Sequence, residues 1–273
     1  MDDGTIKRTI ELYANARLGP TTLDALPVEC LAENESEAYD LQYGVQKFLT
    51  AQGLGDVVGY KVGLVSPNIR AACGGSEVLG IDSPAFGGIF ASRLIEEAGD
   101  VPFDGFNRPR IEGEFAIRLG TDVSVADAPF SRESVRSYVD ACMAGIELVD
   151  FSVDYFAQDP PIAFPMIIDN SSNWGGVFGA PRTDWQDLDL ASLEGHLTIN
   201  GKHVAGDHAS VLLGHPFEVL AWCLDHMTAR GMTLSKGTRF LLGAVTPNIE
   251  DFEKGAEIVM TWDELGKAQV RFT

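Results

Sequence analysis

The run Arg110-Ile111-Glu112-Gly113-Glu114-Phe115-Ala116-Ile117 constrains this chain more than any other. Read as a strand, it points residues i and i+2 to one face, so Glu112 and Glu114 project together while Ile111, Phe115 and Ile117 lie on the other side. Their stems then start roughly 6.5 to 7 Å apart, at about 3.3 Å of rise per residue. Two like charges at that spacing call for a cation, and two flexible Glu side chains can close the gap on one hard divalent ion. Glu147, in Gly145-Ile146-Glu147-Leu148-Val149, is a third carboxylate, alone in a second apolar run. An all-oxygen set of this kind suits Mg²⁺ or Mn²⁺ better than zinc, which prefers nitrogen and sulfur.

The 273 residues are 45% hydrophobic and 22% charged, which allows a sizeable core in one large domain or in a small one plus a large one. With 40 acidic against 20 basic residues the formal net charge is −20, so phosphate backbones and anionic lipid surfaces are repelled. Nucleic acid and membrane are therefore not expected as partners. No apolar run approaches the roughly 20 residues of a membrane span, and Met1-Asp2-Asp3-Gly4 is acidic where a signal peptide is basic, so a cytoplasmic location is expected. Cys30, Cys73, Cys142 and Cys223 are scattered without a Cys-x-x-Cys pair and read as reduced, buried thiols. The five histidines show no His-Glu-x-x-His pattern, and no Gly-x-Ser-x-Gly elbow is present.

Residues 1 to 55 read as helical: Asn34 with Glu37 resembles a capping box, and Ala38, Leu41, Val45 and Phe48 recur at helical spacing up to Gly53. Val57 to Val65 reads as a strand with Val58, Tyr60, Val62 and Leu64 on one face and Gly59, Lys61 and Gly63 on the other. A lysine between two glycines marks either a close ligand approach or a solvated edge. Ser131 opens a helix carrying Val135, Tyr138, Val139 and Cys142 inward to Gly145, and His215-Pro216 opens another ending at Gly231. Asn200-Gly201 signals a tight hairpin, and Thr238 to Ala244, Glu257 to Trp262 and Lys267 to Phe272 read as strands. The pairs Gly74-Gly75, Gly87-Gly88 and Gly175-Gly176 fit no nucleotide-loop pattern and read as turns. Strands in runs with a few helices between them give an α+β class.

Several words now stand in a fixed order: Gly59-Tyr60-Lys61-Val62-Gly63-Leu64, Gly80-Ile81-Asp82-Ser83-Pro84, Pro109-Arg110-Ile111-Glu112-Gly113-Glu114, Ile146-Glu147-Leu148-Val149-Asp150, Asp169-Asn170-Ser171, Leu213-Gly214-His215-Pro216 and Gly243-Ala244. Over roughly residues 35 to 270 the chain resembles the 2-oxopent-4-enoate hydratase and 4-oxalocrotonate decarboxylase branch of the fumarylacetoacetate hydrolase superfamily. The resemblance implies a helical N-terminal region carrying the Lys61 strand (1–75) and a mixed β-sheet roll (76–273) whose cleft holds one Mg²⁺ or Mn²⁺ ion. It implies Glu112, Glu114 and Glu147 as metal ligands, Lys61 and Asp82 as catalytic groups, and Asp169, Asn170, Ser171 and Thr246 beside the substrate. It also implies a small 2-oxo acid as substrate and a homo-oligomer.

A 2-oxo acid would bind such an ion through its 1-carboxylate and 2-oxygen, with Lys61 as a second positive charge or a proton carrier. For a 2-hydroxypenta-2,4-dienoate the resemblance then implies ketonisation and addition of water, a step in breakdown of aromatic compounds. Relatives usually read Asp-x-Pro-Asp-Phe-Gly where this chain has Asp82-Ser83-Pro84-Ala85-Phe86-Gly87, so Ala85 replaces a carboxylate associated with hydration. That leaves Asp82, or a water on the ion, to take its part. It also keeps open decarboxylation of a 4-oxalocrotonate-type acid, a C–C bond hydrolase or isomerase, and a binding protein on the same fold.

Overall fold

The computed structural model describes residues 1–19, 22–159 and 161–273. Two helices packed against each other lead. Asp2 caps α1 (Asp3–Leu18) by accepting from the Thr5 N–H, and Asn34 caps α2 (Glu35–Leu49) by accepting from that of Glu37. α2 buries Ala38, Leu41 and Val45 of the stripe read from the sequence, with Leu49 buried at its end and Phe48 only partly buried. The chain then runs through β1 (Val57–Gly63), α3 (Pro67–Ala72), α4 (Gly75–Leu79), β2 (Ala85–Phe90), β3 (Leu94–Glu96), β4 (Ala98–Val101) and β5 (Pro109–Leu119). After α5 (Arg132–Val135) come β6 (Val139–Asp150), α6 (Ala163–Ile168), β7 (Asn173–Phe178), β8 (Glu194–Ile199) and β9 (Lys202–His208). The chain closes with α7 (Pro216–Ala229), β10 (Arg239–Ala244), β11 (Glu257–Trp262) and β12 (Gly266–Phe272).

A seven-stranded mixed sheet has the order β2-β1-β10-β5-β6-β7-β3, and a five-stranded sheet the order β4-β12-β11-β8-β9. β1 is hydrogen-bonded on both sides, parallel to β10 and antiparallel to β2. The larger sheet curls until β2 meets β7, making the roll. Its convex face packs on the smaller sheet: Phe115 meets Trp262 at 5.3 Å between ring centres, and the indole N–H of Trp262 donates to the Glu114 carbonyl. Its concave face is closed at one end by Ile89, Ala116, Met143, Phe178 and Leu241, all buried. Among the described residues no helix is long and apolar enough to cross a membrane.

Two sequence expectations are corrected here. The helix expected from Ser131 to Gly145 is one turn, α5, followed by a 3₁₀ turn at Arg136–Tyr138, and β6 starts at Val139. Every residue from Ala141 to Asp150 is buried, because both faces of this central strand are covered, so the two-residue alternation that marks a half-exposed strand is missing. Of the glycine pairs, Gly74-Gly75 lies where the turn after α3 leads into α4, while Gly87-Gly88 and Gly175-Gly176 lie inside β2 and β7. A Cβ on Gly87 would sit 2.2 Å from the Asn170 carbonyl oxygen, so glycine lets two backbones touch there. The Asn200-Gly201 hairpin forms with φ of +50° and +76° at its two residues, the sign a primed turn requires.

The helical region is fastened to the roll by a buried ion pair. Arg17, at the end of α1, donates to Asp169 Oδ1 at 2.8 Å and to the Asp169 carbonyl at 2.9 Å, and the two side chains are 2% and 0% exposed. Ser152 and Tyr155 also donate to the same carboxylate. Removing one partner of a buried pair leaves an uncompensated charge, which typically costs about 3–5 kcal/mol. Arg17→Ala is therefore expected to lower the unfolding free energy by about 3–5 kcal/mol in urea titration; a loss below about 1 kcal/mol, the scale of a surface pair, would show that the pair does not fasten α1.

Candidate active site

Strand register brings the four main candidates together. Glu112 on β5 pairs directly with Glu147 on β6, which puts both on one face, and Glu114 follows two residues along. Lys61 on β1 pairs with Leu241 on β10 and Gly87 on β2, which turns it to the same concave face. Ligand oxygens of Glu112, Glu114 and Glu147 all lie within 4.8 Å of one another. The Lys61 ammonium is 3.2 Å from Glu147 Oε1, and the residue is 6% exposed, so it is not a solvated edge lysine. Gly63 makes room for it: a Cβ there would come within 3.0 Å of the Lys61 nitrogen.

Hydrogen bonds aim each carboxylate and leave part of it free. Asn248 donates to Glu112 Oε1 at 3.0 Å, Asn173 to Glu147 Oε1 at 3.0 Å, and the Gly243 N–H to Glu114 Oε2 at 2.7 Å. The Gly243 and Asn173 donors sit where the β10–β5 and β6–β7 ladders slip register, as bulges next to active sites do. Glu114 Oε1 and Glu147 Oε2 are buried with no hydrogen-bond partner among the described residues. Three carboxylates against one ammonium leave a formal surplus of two negative charges. Burial and the neighbouring Glu147 push the Glu112 carboxyl up to about 7 and raise Glu114 well above the carboxylate range. Burial alone would lower Lys61, but Glu147, Glu112 and Glu114 outweigh it and hold the ammonium above its ordinary value. Orphaned oxygens, charge surplus and all-oxygen chemistry together fit one hard divalent cation.

The remaining candidates take different places. A cavity of about 170 Å³ opens beside Lys61 and Glu112, walled in part by Ala85, Arg110, Ser171 and Ser172. Ser171 and Ala85 both stand in its wall. Asp82 is exposed, in a bend before β2, and outside this wall. Asp169 points the other way, into the Arg17 pair, and Asn170 closes a loop of hydrogen bonds with the N–H and C=O of Gly88. Thr246 accepts from the Gly113 N–H at 2.9 Å, so it fixes the backbone between the two β5 carboxylates rather than facing the cavity. Cys73 is half-buried on the cavity wall, whereas Cys30, Cys142 and Cys223 are buried thiols.

Asn173, Asn248, Tyr155, Ser172 and Arg110 are functional neighbours that sequence reasoning did not single out. Arg110 alone carried a signal: it is two residues before Glu112 on the same strand face. The aromatic face of Phe151 lies 4.8 Å under its guanidinium, and Glu250 pairs with it.

Residues 82–273 match the family model described as fumarylacetoacetate (FAA) hydrolase C-terminal. The chain is 28% identical over 273 residues to a 2-keto-4-pentenoate hydratase of Burkholderia vietnamiensis, covering 100% of this chain and 99% of the relative. It is 24% identical over 242 residues to a 4-oxalocrotonate decarboxylase of Pseudomonas putida, covering 87% and 85%. In fold it is similar to the 4-oxalocrotonate decarboxylase from Pseudomonas putida G7 complexed with magnesium and adipate, with a TM-score of 0.87, 22% identity and coverage of 100% and 99%. The family match spans well over half the chain and includes all three clustered carboxylates: the protein belongs to the fumarylacetoacetate hydrolase family.

Proposed function

We propose that this chain is a divalent-cation-dependent lyase that hydrates a 2-hydroxypenta-2,4-dienoate-type acid, a reaction of aromatic catabolism, with Mg²⁺ or Mn²⁺ held by Glu112, Glu114 and Glu147. The observation that carries the reading is the pair of buried, unpartnered oxygens, Glu114 Oε1 and Glu147 Oε2, beside a buried ammonium. The full-length likeness to a 2-keto-4-pentenoate hydratase supports the choice of reaction. A divalent cation at this place supplies electrophilic polarisation of a 2-oxo group. The protein's own residues do the rest. Asn248, Asn173 and Gly243 fix the carboxylates in one orientation, which preorganises the site before substrate arrives. Lys61, with Glu147 on one side, offers its remaining N–H groups to an anionic substrate. The largely apolar cavity wall keeps bulk water from the reacting atoms.

A second reading, decarboxylation of a 4-oxalocrotonate-type diacid, is favoured by two wall residues. Ala85 supplies no carboxylate to handle water, and Arg110 offers a guanidinium to a second substrate carboxylate. Incubation with 2-hydroxypenta-2,4-dienoate and with 4-oxalocrotonate in the presence of Mg²⁺ separates the two. The 4-hydroxy-2-oxo product is expected from the dienoate; CO₂ from the diacid with no hydration of the dienoate would make decarboxylation the correct reading.

The cation site has its own test, independent of turnover. Mg²⁺ or Mn²⁺ at one hundred times its Kd is expected to stabilise the protein by about 2.7 kcal/mol. Glu114→Gln should abolish that increment while leaving the metal-free protein as stable or more so, because the amide oxygen still accepts from Gly243 and one buried like charge is gone. Metal-dependent melting shifts of equal size in the variant and the parent would remove Glu114 from the site.

A further inference from the structure

Asn170, Ser171 and Ser172 have φ of +54°, +51° and +63°, three consecutive non-glycine residues in the left-handed region. Such a run is unfavourable at each residue and persists only where the surroundings fix it. They do so here. Asn170 accepts from Gly88 N–H at 2.7 Å and from Gln46 at 2.9 Å, and donates to the Gly88 carbonyl at 2.8 Å. The result is that two adjacent hydroxyls, those of Ser171 and Ser172, stand in the cavity wall.

The direction of every hydrogen bond behind these hydroxyls is fixed. Asp169 is paired with Arg17 and so acts only as an acceptor. The Tyr155 O–H must therefore donate to Asp169, which leaves the phenol oxygen only as an acceptor. Burial, and then Asp169, push the Tyr155 phenol well above its ordinary value, so it keeps that proton. Ser172 in turn donates its one proton to the Tyr155 oxygen at 3.3 Å, and Ser171 donates its own to the Phe86 carbonyl at 2.8 Å. With both protons committed inward, each serine presents lone pairs alone to the cavity. A pair of acceptors selects a ligand with two O–H donors, and water is the smallest.

We propose that Ser171 and Ser172 position the water that adds to the substrate, taking the place left by the missing carboxylate at Ala85. The inference rests on the hydration reading above. A water that gives both protons to the two serines turns a lone pair away from them, towards the bound acid. After ketonisation gives the 2-oxo-3-ene, the water oxygen bonds to C4 as the C3=C4 π pair shifts towards the 2-oxygen. One water proton ends on C3, so H and OH of a single water account for the product and no further reactant enters. The serines keep their own protons, donated to Tyr155 and to the Phe86 carbonyl, and take none from the water; they are positioning residues, and the chain through Tyr155 to Asp169 sets the polarity of Ser172.

The test compares the full-length parent, a Ser171→Ala/Ser172→Ala double variant and Tyr155→Phe, each with Mg²⁺ and 2-hydroxypenta-2,4-dienoate in D₂O. NMR follows deuterium uptake on ketonisation separately from formation of the C4 alcohol. The double variant is expected to lose about 100-fold in hydration, as for a misplaced reactant, with ketonisation and the Mg²⁺-dependent melting shift unchanged. Tyr155→Phe removes the acceptor that orients Ser172 and should lower hydration by about tenfold, again with ketonisation kept. Equal losses in both steps would assign the serines a merely structural role, and full hydration by the double variant would remove them from the reaction; either overturns the proposal. A parent chain that ketonises the dienoate but adds no water overturns the hydration reading itself, and the serine assignment with it.

Discussion

Three carboxylates facing one ammonium inside a curled sheet set the terms for everything around them. At separations near those observed, each pair of like charges repels by about 3–4 kcal/mol at an effective dielectric of about 20. Three such pairs together approach the whole net stability of a typical domain. Burial and the neighbouring carboxylates raise the Glu112 and Glu114 carboxyls, and Lys61 is buried against Glu147 as the one opposing charge of the cluster. A divalent cation relieves the same repulsion without protons. The fold answers the electrostatics with rigid parts: the carboxylates stand on β5 and β6, the central pair of the larger sheet, and not on loops.

That rigidity explains where the ladder is allowed to break. The two slips in strand register nearest the site fall at Leu241/Ala244 and Leu148/Val149, and each turns a donor onto a carboxylate. Between Glu112 and Glu114 the opposite holds: Thr246 accepts from the Gly113 N–H and Trp262 donates to the Glu114 carbonyl, so the strand cannot relax as its charges repel. Side chains of the convex face thus hold the backbone whose other face carries the chemistry. This links a core residue such as Trp262, 1% exposed, to the precision of a site on the far side of the sheet.

What was legible in the sequence follows from how local each signal is. The Glu112–Glu114 pair could be read because a strand's two-residue period acts within three residues, and Lys61 because its flanking glycines leave space on the same face. The strand identity of β6 was hidden by burial on both faces, which erases the alternation, although Glu147 still stood out as a charge in an apolar run. Asp169 shows the limit most clearly. The word Asp169-Asn170-Ser171 is the same whether its carboxylate faces the cavity or the interior, and the residue that decides it, Arg17, is 152 positions away. Asn173 and Asn248 were equally unreadable, because their amides reach the carboxylates only through chain bulges and distant strand neighbours.

The site divides into two parts with different origins in the chain. Charge handling belongs to β1, β5 and β6, where substitution disturbs a sheet that is buried on both faces. The cavity wall beside them comes in part from the start of β2, the α6–β7 turn and the start of β5, where Ala85, Ser171, Ser172 and Arg110 stand. Polarising a 2-oxo group is common to hydration and to decarboxylation, so the first part is indifferent to which of them occurs. The second part decides, through whether it presents acceptors for water or a guanidinium for a second carboxylate. Ala85 removes one means of holding water, and the left-handed turn at Asn170–Ser172 supplies another made from backbone strain and two hydroxyls. A wall assembled from separate segments can change in this way without disturbing the carboxylates, because nothing in the register of β5 and β6 depends on which side chains face the far end of the cavity.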